Sequence, residues 1–211
     1  MKTIAVIGGT GALGLGLAAR LSGKYKVVIG SREKSRAEGA ASRVTRVSGS
    51  RVFGAENAAA AHESDVSILA IPDLPSDALL LGLKPELSGK LVISPIVPMT
   101  VREGLFAPAL DSGSAAERVA SALSTRVAGA FHTVPAARLF RTTLKLDYDV
   151  PVTADSREVY EEAAAIVSNI AGLRPLYAGP LAASRIVEEL TPLLLNLGKL
   201  NGMPHPSIRV V

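Results

Sequence analysis

With 211 residues, 48% of them hydrophobic, the chain is long enough for one large domain or for a ligand-binding domain plus a small cap. It has no cysteine, which excludes disulfides, thiolate nucleophiles and cysteine metal sites and fits a reducing cytosol; its only histidines, His62, His132 and His205, are too scattered to suggest a metal site. A net charge of +4 comes with only 4% aromatic residues and no Lys/Arg-rich block, a balance that argues against nucleic acid and for small anionic ligands.

Residues 2–8 form an apolar run predicted as a buried strand, and the run breaks into glycines after about six residues, short of a signal-peptide core. The turn that follows, Gly8-Gly9-Thr10-Gly11-Ala12-Leu13-Gly14, opens a helix and sets Gly9, Gly11 and Gly14 in the spacing G-x-G-x-x-G. That spacing predicts a dinucleotide cradle: a tight turn, a backbone that a pyrophosphate can approach, and a helix N-terminus whose free N–H groups face the phosphates. Strand-like runs at 25–30, 51–54, 65–71 and 90–94 alternate with helical segments, and 126–131, 150–154 and 176–178 continue the pattern. The alternation predicts an α/β fold: a Rossmann-like, doubly wound, mostly parallel sheet with a small C-terminal extension.

Asp155 is the expected N-cap of a helix running to about residue 170. A last helix over 182–200 carries Ile186, Val187, Leu190, Leu193, Leu194, Leu197 and Leu200 at helical spacing, with Pro192 expected to kink it. So wide an apolar face either packs into the core or makes a dimer contact. Charged Arg185, Glu188, Glu189 and Lys199 within it leave no membrane span, and a soluble cytoplasmic protein is expected.

The tip of the second strand selects the nucleotide. A carboxylate there binds the adenosine ribose of NAD, but this chain reads Gly30-Ser31-Arg32-Glu33-Lys34-Ser35-Arg36. Ser31 offers a hydroxyl, and Arg32 and Arg36 pair with a 2′-phosphate dianion, which points to NADP; Thr10 in the glycine turn adds a second hydroxyl. Ligands of open parallel sheets sit beyond the carboxyl ends of the strands, so Ile71-Pro72 and Ser94-Pro95-Ile96-Val97-Pro98 are expected to border the nicotinamide. His132, in Phe131-His132-Thr133-Val134-Pro135-Ala136-Ala137-Arg138, is a candidate hydrogen-bonding group at another strand end. These residues alone leave open a reductase acting on a flavin, a ferric chelate or an imine, and a non-catalytic NADP-binding redox sensor.

The glycine turn, Gly30-Ser31-Arg32, the segments 94–98 and 132–138, Gly172-Leu173-Arg174-Pro175-Leu176, Ala178-Gly179-Pro180-Leu181, Leu190-Thr191-Pro192-Leu193 and Asn201-Gly202-Met203 together resemble the archaeal 8-hydroxy-5-deazaflavin (coenzyme F420)-dependent NADP oxidoreductases, in order and over nearly the whole chain. The resemblance implies reversible hydride transfer between C4 of the nicotinamide of NADP(H) and C5 of coenzyme F420 as co-substrate. Such chemistry needs no protein nucleophile or metal, so no catalytic side chain and no metal ligand is assigned; holding two rings face to face is the task. It implies that Gly9, Thr10, Gly11, Ala12, Leu13, Gly14, Ser31, Arg32, Arg36, Ile71 and Pro72 hold NADP, and that Ser94, Ile96, Val97, His132, Val134, Pro135 and Met203 lie beside the deazaflavin. Arg138 and Arg185 are expected to offer charge to the acidic tail of that coenzyme, ahead of Arg141, Lys145 and Lys199. Residues 1–125 would form the NADP-binding Rossmann domain and 126–211 the part completing the deazaflavin cleft, in a homodimer. Where relatives often carry a tryptophan after Pro72, this chain has Asp73-Leu74-Pro75-Ser76 and no tryptophan at all.

Overall fold

The computed structural model describes all 211 residues. Eight strands form one sheet: β1 (Thr3–Ile7), β2 (Lys26–Ser31), β3 (Val52–Glu56), β4 (Val66–Leu69), β5 (Leu91–Ser94), β8 (Arg126–Gly129), β9 (Tyr148–Ala154) and β10 (Leu173–Tyr177), in the order β10-β9-β8-β5-β4-β1-β2-β3. All neighbours run parallel except β8 and β9, which pair antiparallel. Every residue of β1 is buried, as a strand covered on both faces requires. Ile4 and Val6 face a core with Val27, Ile29, Leu17 and Val44, while Ala5 and Ile7 face a second core with Val28, Leu80, Leu83 and Val119. Helices α1 (Ala12–Leu21), α2 (Lys34–Ser48) and α7 (Arg157–Ser168) cover the first face; α3 (Asn57–Glu63), α4 (Asp77–Leu87) and α5 (Ala115–Leu123) cover the second. The expected doubly wound sheet is therefore present, and β8, β9 and β10 extend it beyond the nucleotide half.

Three details differ from the sequence expectations. Ser156, not Asp155, caps α7: its Oγ accepts the Val159 N–H at 3.3 Å from an extended backbone, while Asp155 accepts the Leu181 N–H at 2.8 Å. Residues 99–108 form an unforeseen antiparallel hairpin, β6 (Met99–Arg102) and β7 (Leu105–Pro108). The last helix, α8 (Ser184–Asn201), runs unbroken through Pro192 and buries Ser184, Val187, Glu188, Pro192 and Gly198. Its stripe is thus only partly in the core, for Ile186, Leu193, Leu197 and Leu200 stay exposed. No helix is long and apolar enough to cross a membrane.

Two long-range anchors fix the C-terminal half. Arg20, in the last turn of α1, donates to the carbonyls of Leu139 (2.9 Å), Arg141 (2.7 Å) and Leu144 (2.9 Å) around the short helix α6 (Ala136–Leu139). The fully buried Asp149 carboxylate pairs with Arg174 (2.7 Å) and Arg209 (3.1 Å) and accepts the Val210 N–H (2.6 Å), strapping the C-terminal tail against β9.

Candidate functional site

Strands β2, β1, β4, β5 and β8 run parallel, so their carboxyl ends share one edge, and the predicted site residues other than Met203 stand at or just after those ends. After β1 the chain turns at once: the Gly9 N–H donates to Val6 O (3.2 Å) and Gly30 O (3.0 Å). A Cβ at Gly14 would lie 2.4 Å from Gly9 Cα, so α1 packs on the turn only because residue 14 has no side chain. Beyond its immediate chain neighbours, nothing lies within 4 Å of where a Cβ would stand at Gly11, so the backbone there is approachable from outside. No side chain caps the start of α1, which leaves its first N–H groups for a ligand. This is a cradle that fits a pyrophosphate.

The turn opens on a cleft of about 710 Å³ lined by Thr10, Gly11, Ala12, Leu13, Ser31, Arg32, Arg36, Ile71 and Pro72, nine of the expected NADP residues, together with Asn57, Leu74, Pro75, Ser76 and Leu79. Gly9 and Gly14 lie buried within the turn itself. Ser31 is buried at the end of β2, where its Oγ accepts the Glu33 N–H at 3.4 Å and keeps its own hydrogen to donate. Arg32 and Arg36 are exposed at the rim, and Glu33, the acidic residue of the segment, lies 3.9 Å from Arg36. Two guanidinium groups and two hydroxyls around one rim suit a phosphate dianion.

A second cleft, of about 230 Å³, lies beyond the end of β8 and is lined by His132, Thr133, Val134, Pro135, Ala136, Thr191, Leu194, Leu195, His205 and Pro206. The preceding residue, Phe131, is buried with φ of 70°, a left-handed conformation costly for a bulky side chain and held by its surroundings. Thr191 Oγ1 donates to His132 O and Ser207 Oγ to Thr133 O, both at 2.9 Å, so α8 and the tail fix this segment from two sides. The His132 ring is buried with neither nitrogen hydrogen-bonded, and burial pushes its pKa down to about 4, so the ring is neutral at physiological pH. Ser94 Oγ, fully buried at the end of β5, and Thr133 Oγ1 also lack partners.

The structure thus brings His132, Val134 and Pro135 together but not the rest of the expected deazaflavin set: Ser94, Ile96, Val97 and Met203 line neither cleft. Ser94 and Ile96 lie within the packed interior, and Met203 is 51% exposed on the turn after α8, where its N–H donates to Gly198 O. Among the charges proposed for the acidic tail, Arg185 is paired with Glu189 at 3.0 Å and Lys199 donates to Gly104 O. Sequence reasoning missed Asn57, Thr191 and His205 as lining residues. Asn57 follows the end of β3, so the strand-end rule applied to that strand would have found it; Thr191 on α8 and His205 in the tail carry no comparable local signal.

A family described as NADP oxidoreductase, coenzyme F420-dependent, matches residues 3–98. The chain is 39% identical to an F420-dependent NADP reductase of Methanothermobacter marburgensis over 217 aligned positions, covering 98% of this chain and 97% of that one. It is 38% identical to the F420-dependent NADP reductase of Methanocaldococcus jannaschii, with 92% and 91% covered. Among solved structures it is similar to a candidate F420-dependent NADP-reductase from an Arthrobacter species (TM-score 0.84, 22% identity, 100% of both chains). A reductive aminase from Aspergillus terreus in complex with NADPH shares the fold more loosely (TM-score 0.65, 17% identity, 96% of this chain and 63% of that one).

Proposed function

The chain belongs to the coenzyme F420-dependent NADP oxidoreductase family, and we infer from that membership that it catalyses reversible hydride transfer between NADP(H) and coenzyme F420. The observation that carries the reading is similarity at 39% identity along nearly the full length, joined to a glycine-turn cleft rimmed by Arg32 and Arg36. NADP(H) and F420 supply the hydride chemistry; the protein's own residues bind, orient and exclude water.

In this reading the turn at 9–14 holds the pyrophosphate, and Thr10, Ser31, Arg32 and Arg36 hold the 2′-phosphate. Ile71 and Pro72 border the nicotinamide. His132, Val134 and Pro135 wall the deazaflavin, with Ser94 at the end of β5 and Ile96 and Val97 just beyond it in support. His132 serves as a neutral hydrogen-bonding group, since its depressed pKa removes the charged form. No side chain is assigned as acid, base or nucleophile. Residues 1–125 form the NADP-binding part and 126–211 complete the second cleft. The exposed stripe Ile186, Leu193, Leu197 and Leu200 on α8 favours a homodimer, which sedimentation of wild type against L193E/L197E tests. A cytoplasmic setting, where both coenzymes are soluble substrates, completes the proposal.

The decisive experiment mixes purified protein, NADPH and oxidised F420 and follows the deazaflavin absorbance. Rapid loss is expected. Inertness combined with tight NADPH binding would overturn the reading in favour of a sensor, and NADPH oxidation only with a flavin, ferric chelate or imine would favour a different reductase.

A further inference from the structure

Asn57 is a polar side chain of the nucleotide cleft that the glycine turn and the basic rim do not account for. It stands at the start of α3, directly after Glu56, which is in register with Ser31 across β3 and β2, and it is 9% exposed. Its Oδ1 accepts the backbone N–H of Gly8 at 3.1 Å. Because an N–H only donates, the oxygen and not the nitrogen of the amide faces the turn.

The contact depends on Gly30. A Cβ at that position would lie 2.8 Å from Asn57 Oδ1 and 3.3 Å from Ile7 Cδ1, so a side chain on β2 would push the amide off the turn. Gly30 also offers its carbonyl to the Gly9 N–H. Two consecutive amides of the turn are therefore fixed by groups from β2 and α3, at a point where Gly8 has φ of 67° and the turn's own backbone is least constrained. With Oδ1 spent on Gly8, the planar amide leaves Nδ2 and its two hydrogens without a hydrogen bond inside the protein, and the residue lines the cleft beside Ser31 and Arg32.

We propose that Asn57 is a positioning and binding residue for NADP, its Oδ1 holding the glycine turn in shape and its Nδ2 donating to an oxygen of the adenosine ribose-phosphate. The proposal rests on the NADP reading above. It separates two roles that a single substitution can split: Asp at this position still accepts the Gly8 N–H but presents only a negative acceptor to an anionic ligand, whereas Ala loses both functions.

The test measures binding of NADPH and of the fragment 2′,5′-ADP by calorimetry, with thermal unfolding and steady-state kinetics alongside, for wild type, N57D and N57A. N57D should unfold within a few degrees of wild type yet bind both ligands about 50-fold more weakly or worse; N57A should weaken both about 10-fold. KM for NADPH should rise in both variants while kcat and KM for F420 stay within about twofold. Unchanged binding of 2′,5′-ADP to N57D overturns the proposal, and so does an N57D that loses binding only because it unfolds. Wild-type protein that binds neither ligand would refute the NADP reading itself, a different outcome from the first.

Discussion

Replacing Arg20 tests whether the helix that starts at the glycine turn also holds the second cleft. Its guanidinium donates to the carbonyls of Leu139, Arg141 and Leu144 at 2.7–2.9 Å and reaches Arg138 O at 3.4 Å, in a stretch whose only helix spans four residues. The helices touch closely, for a Cβ at Gly16 would lie 2.5 Å from Leu139 Cβ. A hydrogen bond from a charged donor contributes about 1.5–3 kcal/mol when buried. Three well-formed ones would suggest more, but the side chain is only half-buried and regains rotamer freedom of up to ~2 kcal/mol when released. The expected net cost of R20A is therefore about 2–4 kcal/mol, a Tm decrease of roughly 5–15 °C for a chain of this size. R20K, a point charge without the planar fork, should recover less than half of it. Because residues 132–136 lead directly into this stretch, KM for F420 should rise more than KM for NADPH. Urea unfolding and steady-state kinetics read both effects. An R20A protein within about 0.5 kcal/mol of wild type would show that the four carbonyls are equally well served by water and refute the coupling.

Three further outcomes are expected. R32A should raise KM for NADPH at least tenfold and leave KM for NADH nearly unchanged; equal effects on both would remove the 2′-phosphate assignment. H132A should weaken F420 binding or slow turnover, and since the ring is neutral above about pH 4, kcat/KM for F420 should show no break near pH 6.5 that H132A abolishes; such a break would refute the neutral-ring reading. Glu188 accepts the Ala115 and Ala116 N–H groups at 2.9 and 3.2 Å, yet burial pushes its pKa up to about 7. The native state then keeps a proton that the unfolded chain releases, so stability falls by about 3 kcal/mol as pH rises from 4.5 to 7 and is level above. The advantage of wild type over E188Q should shrink through that window in denaturant titrations, and parallel curves would contradict it.

The strands were legible because burial on both faces forces near-continuous apolar runs, as Ile4-Ala5-Val6-Ile7 and Val27-Val28-Ile29 show. The basic rim of the first cleft was legible because Ser31 ends a strand and Arg32 and Arg36 follow it within about one turn of helix. The hairpin at 99–108 was not, since its strands have four residues each with partial exposure, and its turn uses Glu103 and Gly104 at φ of 51° and 79°, with Glu where an Asn or Asp would have signalled it. The strand-end rule reaches Asn57 as a lining residue, but its hold on the glycine turn was illegible because that contact depends on Gly30, a residue on another strand whose missing side chain makes room for it. The tail was illegible for the same reason: Asp149, Arg174 and Arg209 meet only after β9 and β10 pair and the last residues fold back.

Unmet hydrogen-bond demand is distributed unevenly in this protein. Where buried polar groups serve structure they are satisfied: Asp149 by two arginines and a backbone N–H, Glu188 by two backbone N–H groups, Thr153 and Ser184 by each other. The buried side-chain atoms without partners are Ser94 Oγ, both His132 nitrogens, Thr133 Oγ1 and Arg138 Nε. All of them lie at the carboxyl ends of β5 and β8 or in the segment that follows β8. Each orphaned group costs about 1–3 kcal/mol, so a fold that completes its hydrogen bonds elsewhere gains nothing from leaving several open at one place. His132 and Thr133, which carry three of these five atoms, line the second cleft, so the open demand is concentrated beside the seat proposed for the second coenzyme and not at the glycine turn.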